Sequence, residues 1–98
     1  MTSPADPATA PDIDTERLKK LFPPYRVVLH NDDHNSMDYV VRSLMKAVPS
    51  LGRDDATRIM TEAHNHGQAT VIVCTKEEAE MYRDRLESFG LTATIEEA

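Results

Sequence analysis

The chain has 98 residues and a formal net charge of −6, with acidic and basic residues interspersed and no basic stripe. That length allows one domain, and the charge excludes nucleic-acid binding by phosphate neutralisation. Cys74 is the single cysteine, which rules out an intramolecular disulfide and suits a reducing compartment. No run approaches the ~18 apolar residues of a membrane span, and neither a basic n-region nor an apolar h-region opens the chain, so a cytoplasmic protein without membrane association is expected.

Residues 1–24 read as an amino-terminal extension. Pro4, Pro7 and Pro11 stand among Ala, Asp, Ser and Thr, a composition that cannot offset the entropy of ordering, so a flexible tail is expected. A short helix is allowed from Asp14 to Phe22, with Leu18, Leu21 and Phe22 at helical spacing and Pro23-Pro24 ending it. The folded domain is expected over residues 25–98. Tyr25 to His30 is rich in β-formers and reads as a first strand. Asn31-Asp32-Asp33 follows, a corner of short polar side chains that bend the chain and bond its backbone.

Beyond the corner, Met37, Val40, Val41, Leu44, Met45 and Val48 recur at i, i+3, i+4, i+7, which predicts an amphipathic helix with Ser36 as N-cap and Pro49 as stop. Ala56, Ile59, Met60 and Ala63 predict a second helix, starting near Arg53-Asp54 and closing at Gly67. Ala69 to Cys74 is a second strand. Thr75 with Glu78 forms a capping box for a third helix, whose inner face is Ala79, Tyr82, Leu86 and Phe89 and whose end is Gly90. Leu91 to Ile95 closes the chain as a last strand. The order βααβαβ predicts a small α+β sandwich, a three-stranded antiparallel sheet packed against helices.

Two carboxylates and a carboxamide at one corner are acceptors that call for a cation. A metal is one candidate, because His30, His34, His64 and His66 with Asp32 and Asp33 supply donors. His64 and His66 are two apart, however, and point to different sides of a helix. The His-x-x-x-His spacing of helical zinc sites is absent from the expected helices, no Cys-x-x-Cys occurs, and Asp33-x-Asn35-x-Met37 does not continue as a calcium loop. No metal and no cofactor are expected. Cys74 or Ser36 with His64 makes a conceivable nucleophile and base, but no nucleophile elbow surrounds them. A metal-dependent or Cys/His hydrolase using Asp32, Asp33 and His64 therefore stands as the alternative to a non-enzymatic reading. The remaining cation is a peptide's own amino terminus, mostly protonated at neutral pH and presenting three donors. Asn31, Asp33 and a neutral nitrogen of His64 can each accept one, so binding is expected to weaken as that histidine protonates.

Tyr25-Arg-Val-Val-Leu-His-Asn-Asp-Asp33, Met37-Asp-Tyr-Val40-Val41, Ala56-Thr57-x-x-Met60, His64-x-x-Gly67-x-Ala69 and Thr94-Ile95-Glu96 closely resemble the ClpS family. These adaptors bind N-degrons and deliver them to Clp proteolytic machines. The resemblance covers residues 25–98 and implies that Asn31, Asp33 and His64, with Asp32 beside them, hold the α-amino group. It further implies that Met37, Val40, Met60, Ala63 and Leu91, with Asn35, line the pocket for a first residue such as Leu, Phe, Tyr or Trp. Met37 resembles a gatekeeper that crowds the β-branched Ile and Val. The third helix resembles the partner-binding surface, with Glu77, Glu80, Tyr82 and Arg83 facing the amino-terminal domain of a ClpA- or ClpC-type AAA+ unfoldase, and a monomer is implied. Two stretches depart from the family pattern. His34-Asn35-Ser36 replaces an aromatic, a threonine and a proline, and Ala63 replaces a larger branched aliphatic, which would deepen the pocket toward aromatic first residues. Tyr82 stands where a lysine is frequent.

Overall fold

The computed structural model describes residues 14–98; the tail expected over residues 1–13 lies outside the described residues. A short helix α1 (Thr15–Leu21) precedes β1 (Tyr25–His30), α2 (Met37–Ala47), α3 (Arg53–His66), β2 (Gln68–Cys74), α4 (Lys76–Ser88) and β3 (Thr92–Glu97). From β1 onward this is the βααβαβ order, in an α+β fold. Asp14 caps α1 by accepting from the Arg17 N–H, but α1 buries none of its residues. Its seven residues are too few to hold a helix without such local support.

The sheet order is β2-β1-β3, with both pairings antiparallel. β1 is central, paired along both edges, and its Val27, Val28 and Leu29 are all buried. One irregularity interrupts the ladder. Val27 faces Ile72 whereas Val28 faces Thr70, so Val71 is an extra residue on β2. The bulge shifts the side-chain alternation by one. Ala69 and Val71 before it, and Ile72 and Cys74 after it, all pack against the core.

Each helix begins where its sequence says it should. The Ser36 hydroxyl accepts from the Tyr39 N–H at 3.1 Å. Thr75 and Glu78 form the full capping box, with the Glu78 N–H on Thr75 Oγ1 at 3.1 Å and the Thr75 N–H on Glu78 Oε1 at 3.3 Å. Two glycines end helices in the left-handed region, Gly67 at φ 91° after α3 and Gly90 at φ 84° after α4. That conformation strains any residue with a Cβ. The final strand begins at Thr92 rather than Leu91, because Leu91 closes the turn out of α4: its N–H donates to the Leu86 carbonyl at 3.1 Å, while the Gly90 N–H donates to that of Glu87 at 2.9 Å. This pair of bonds is a Schellman motif, and it turns Leu91 inward.

The core lies between one face of the sheet and α2, α3 and α4. Leu44, Ile59, Leu86, Val27 and Val48 are its largest fully buried side chains. Arg85 adds a polar tie, one guanidinium nitrogen donating to the Ala47 carbonyl at the end of α2 at 3.2 Å. Leu44 is 0% exposed, and truncating it removes packed methyl groups that nothing can replace. Leu44→Ala is expected to lower unfolding free energy by about 3 kcal/mol in urea denaturation, whereas Val73→Ala, on the exposed part of β2, should stay within about 0.5 kcal/mol.

Candidate functional site

A recess opens where the end of β1, the corner after it, α2, α3 and the α4–β3 turn meet. The space within it that a water-sized molecule can occupy is about 40 Å3. Each lining residue is delivered by a local rule. Met37 and Val40 are three apart on the first turn of α2, and Met60, Ala63 and His64 share one side of α3 at i, i+3 and i+4. Leu91 comes from the Schellman turn, Leu29 and His30 from the end of β1, and Asn31, Asp32 and Asn35 from the corner.

The acidic corner is held to the end of α3 by one backbone bond: the Asn31 N–H donates to the Gly67 carbonyl at 3.0 Å. Since His64 is on the last turn of α3, this bond sets it beside the corner. Asp32 then organises the loop. Its Oδ1 accepts from the His34 N–H at 3.0 Å, the Asn35 N–H at 3.1 Å and Asn35 Nδ2 at 3.2 Å. Oδ2 accepts only a longer contact from Asn35 Nδ2, at 3.3 Å. A carboxylate has about four lone-pair sites, so the open acceptor capacity lies on Oδ2.

The site thus joins two chemistries. Asn31, Asp32 and His64 present acceptors, and Asn31 and His64 are exposed. Met37, Val40, Met60, Ala63 and Leu91 form an apolar cup in which Ala63 is 2% and Leu91 4% exposed while Met37 is 50% exposed. A half-exposed methionine over buried small and branched residues is a flexible lip on a firm floor.

Nine of the ten residues expected at the site line this recess: Asn31, Asp32, Asn35, Met37, Val40, Met60, Ala63, Leu91 and His64. Asp33 is exposed and lies outside the lining. Leu29 and His30 were not anticipated. Strand alternation puts Leu29 on the helix-facing side, and that signal was available; His30, whose Nε2 is 2.7 Å from Thr94 Oγ1, is brought to the rim only by the strand's end.

On α4, Glu77, Glu80 and Arg83 are three apart and share a side, whereas Tyr82 turns inward to pack against the core with Arg85 5.9 Å over its ring. Glu77 also borders a second groove, formed with Leu21, Phe22, Pro23 and Tyr25.

Among the described residues, no group of three or more His, Cys, Asp or Glu side chains converges as a metal site requires. Nor do Cys74 and His64 meet. Cys74 ends β2 opposite Tyr25, while His64 stands just before Gln68 at its start, and six strand steps span about 20 Å. Desolvation, and secondarily the Glu78 carboxylate, push the Cys74 thiol up from its ordinary range.

What the fold and site define is a small α+β binding domain with one cup for an apolar side chain and acceptors at its rim. Comparison with known proteins gives the class its name. The family model for the ATP-dependent Clp protease adaptor protein ClpS matches residues 20–94. The ATP-dependent Clp protease adapter protein ClpS of Synechococcus sp. (strain CC9902) is 52% identical over 81 residues, covering 83% of this chain and 78% of the relative. The chloroplastic adapter CLPS1 of Arabidopsis thaliana is 44% identical over 90 residues, covering 92% of this chain, which spans 57% of that relative's length. The structure of Agrobacterium tumefaciens ClpS2 bound to L-phenylalaninamide superposes with a TM-score of 0.73 at 29% identity, covering 78% of this chain and 98% of that one. The chain belongs to the ClpS family of Clp protease adaptors, whose relatives are named as adapters and not as enzymes. These relatives are bacterial or chloroplastic, and among the described residues no helix is long and apolar enough to cross a membrane.

The raised thiol gives a direct check on the rival hydrolase. Cys74 stays protonated at neutral pH, so it is expected to alkylate with iodoacetamide roughly threefold or more slowly than free cysteine at pH 8. Unfolding in urea should abolish the difference; faster labelling in the folded protein would reinstate an activated thiol.

Proposed function

We propose that this adaptor captures polypeptides through a free amino terminus followed by a bulky hydrophobic first side chain, Leu, Phe, Tyr or Trp. The observation that carries the reading is the adjacency of Asn31, Asp32 and His64 to the cup of Met37, Val40, Met60, Ala63 and Leu91. An ammonium group and the side chain on the same Cα are that close only at a chain's first residue. L-phenylalaninamide, the ligand of the A. tumefaciens ClpS2 structure, is chemically such a residue, with a free α-amine, an aromatic side chain and an uncharged amide where the chain would continue.

The energetics fit. Burying a Leu or Phe side chain is worth roughly 1.5–3 kcal/mol, and each hydrogen bond to a charged amine about the same. After the cost of association the sum reaches about micromolar affinity, which neither half attains alone. Asp33, at the mouth, adds its negative charge to the attraction. Met37 crowds a branch at Cβ, which disfavours Ile and Val, and the small Ala63 leaves depth that favours aromatic rings. The captured substrate is passed to the amino-terminal domain of a ClpA- or ClpC-type AAA+ unfoldase, with Glu77, Glu80 and Arg83 as the contact side of α4 and Tyr82 supporting it from within. The adaptor acts as a monomer in the cytoplasm and needs no cofactor.

Fluorescence anisotropy with peptides beginning with Leu or Phe tests this. Binding should persist in EDTA, fall by at least about tenfold on N-acetylation and fall by a similar factor in His64→Ala, whose exposed ring leaves the fold intact. Equal affinity for the acetylated peptide would overturn the reading.

A further inference from the structure

The wall of the recess that carries Leu91 packs into the core through that side chain and is pinned besides by hydrogen bonds from the far side. Leu91 enters from the turn out of α4, whose own backbone bonds are complete, leaving the Phe89 and Gly90 carbonyls to look outward. Both are taken by side chains from the opposite wall. The Tyr39 hydroxyl donates to the Phe89 carbonyl at 2.6 Å, and Asn35 Nδ2 donates to the Gly90 carbonyl at 3.1 Å. The same Nδ2 group also holds Asp32, at 3.2 Å from Oδ1 and 3.3 Å from Oδ2. Residues 50 and 55 positions apart in the chain are thereby joined at two adjacent peptide groups.

We propose that Asn35 and Tyr39 form a clamp that sets the width of the side-chain recess and therefore the size of first residue it accepts. The two are positioning residues. Tyr39 fixes the distance between the first turn of α2, which carries Met37 and Val40, and the turn that carries Leu91. Asn35 does the same one residue further on and links that distance to the orientation of the Asp32 carboxylate. The carboxamide is suited to this double task because its two N–H groups diverge, one reaching a carboxylate while the other reaches a carbonyl. A threonine, with one hydroxyl proton, can satisfy only one of the two acceptors at a time. Lip and floor are thus tied together through a polar seam beside an apolar cup, so a larger ring must stretch the seam before it can seat.

The inference rests on the amino-terminal reading above, and one experiment separates their failures. Affinities of Leu-, Phe- and Trp-initiated peptides, each free and N-acetylated, are measured for the unaltered protein, Tyr39→Phe and Asn35→Ala. Tyr39→Phe keeps the ring that packs on the core and removes only the hydroxyl. It should raise the Trp:Leu affinity ratio by about threefold or more while leaving the dependence on the free amine unchanged. Asn35→Ala should raise the same ratio and in addition weaken all free-amine peptides, since it also releases Asp32. Thermal melts accompany both, because a merely structural role lowers Tm without altering the ratio. An unchanged Trp:Leu ratio in both variants overturns the clamp even if the acetylated peptides still fail to bind. Loss of the acetylation effect in the unaltered protein would instead overturn the amino-terminal reading itself.

Discussion

The hydrogen bond from the Asn31 N–H to the Gly67 carbonyl is the joint on which the site depends. It extends by one bond the pairing that sets His30 opposite Gln68, and so carries the fixed relation of β1 and β2 onto the acidic corner and the end of α3. The bond is available because Gly67 adopts φ 91°, closing α3 with its own N–H on the Ala63 carbonyl at 2.8 Å while its carbonyl meets β1. One glycine thus ends a helix, starts a strand and places His64 beside Asp32. The acceptors of the rim come from two elements separated by more than thirty residues, and the β1–β2 pairing with this bond at its end sets their spacing.

Around that joint the molecule divides its labour between apolar and polar contacts. The core of Leu44, Ile59, Leu86, Val27 and Val48 supplies the stability that a domain this small can muster. Directional bonds add to it at the corner and at the Leu91 turn, whose leucine is itself part of the core. The Asp32 carboxylate folds the loop onto itself, and Asn35 and Tyr39 fasten it to the far wall. Polar bonds suit that task because their geometry is specific, whereas a packed face would bury the acceptors that the rim must keep available. Surface ion pairs such as Arg42 with Asp38 contribute little by comparison.

The order of elements was legible because local signals agreed with tertiary demands. Helical spacing, the Ser36 cap, the Thr75–Glu78 box and two terminal glycines each marked a boundary that the packed structure keeps. The bulge at Val71 was not legible. A run of Ala-Thr-Val-Ile-Val-Cys has apolar residues on both parities, and only pairing with β1 decides where the alternation slips. At the site, residue types and resemblance named ten residues, and one recess gathers nine of them. They did not separate Asp32 from Asp33, since adjacent carboxylates differ only in which one the loop turns inward. Nor did they show what Asn35 does, because its partner on Gly90 is reached only through the fold. Helical spacing gives Tyr82 an inner-face place and resemblance gives it a partner-contact place, and its ring packs against the core.

The central claim is that one recess reads the charge of an amino terminus and the bulk of its side chain together. Titration of L-leucinamide into 15N-labelled protein, followed residue by residue in 1H–15N spectra, tests it most directly. The account predicts shifts centred on Asn31, Asp32, His64 and the first turn of α2, with N-acetyl-leucinamide leaving the same peaks in place. Shifts centred on α4 or on the exposed face of the sheet, or equal responses to both ligands, would contradict it.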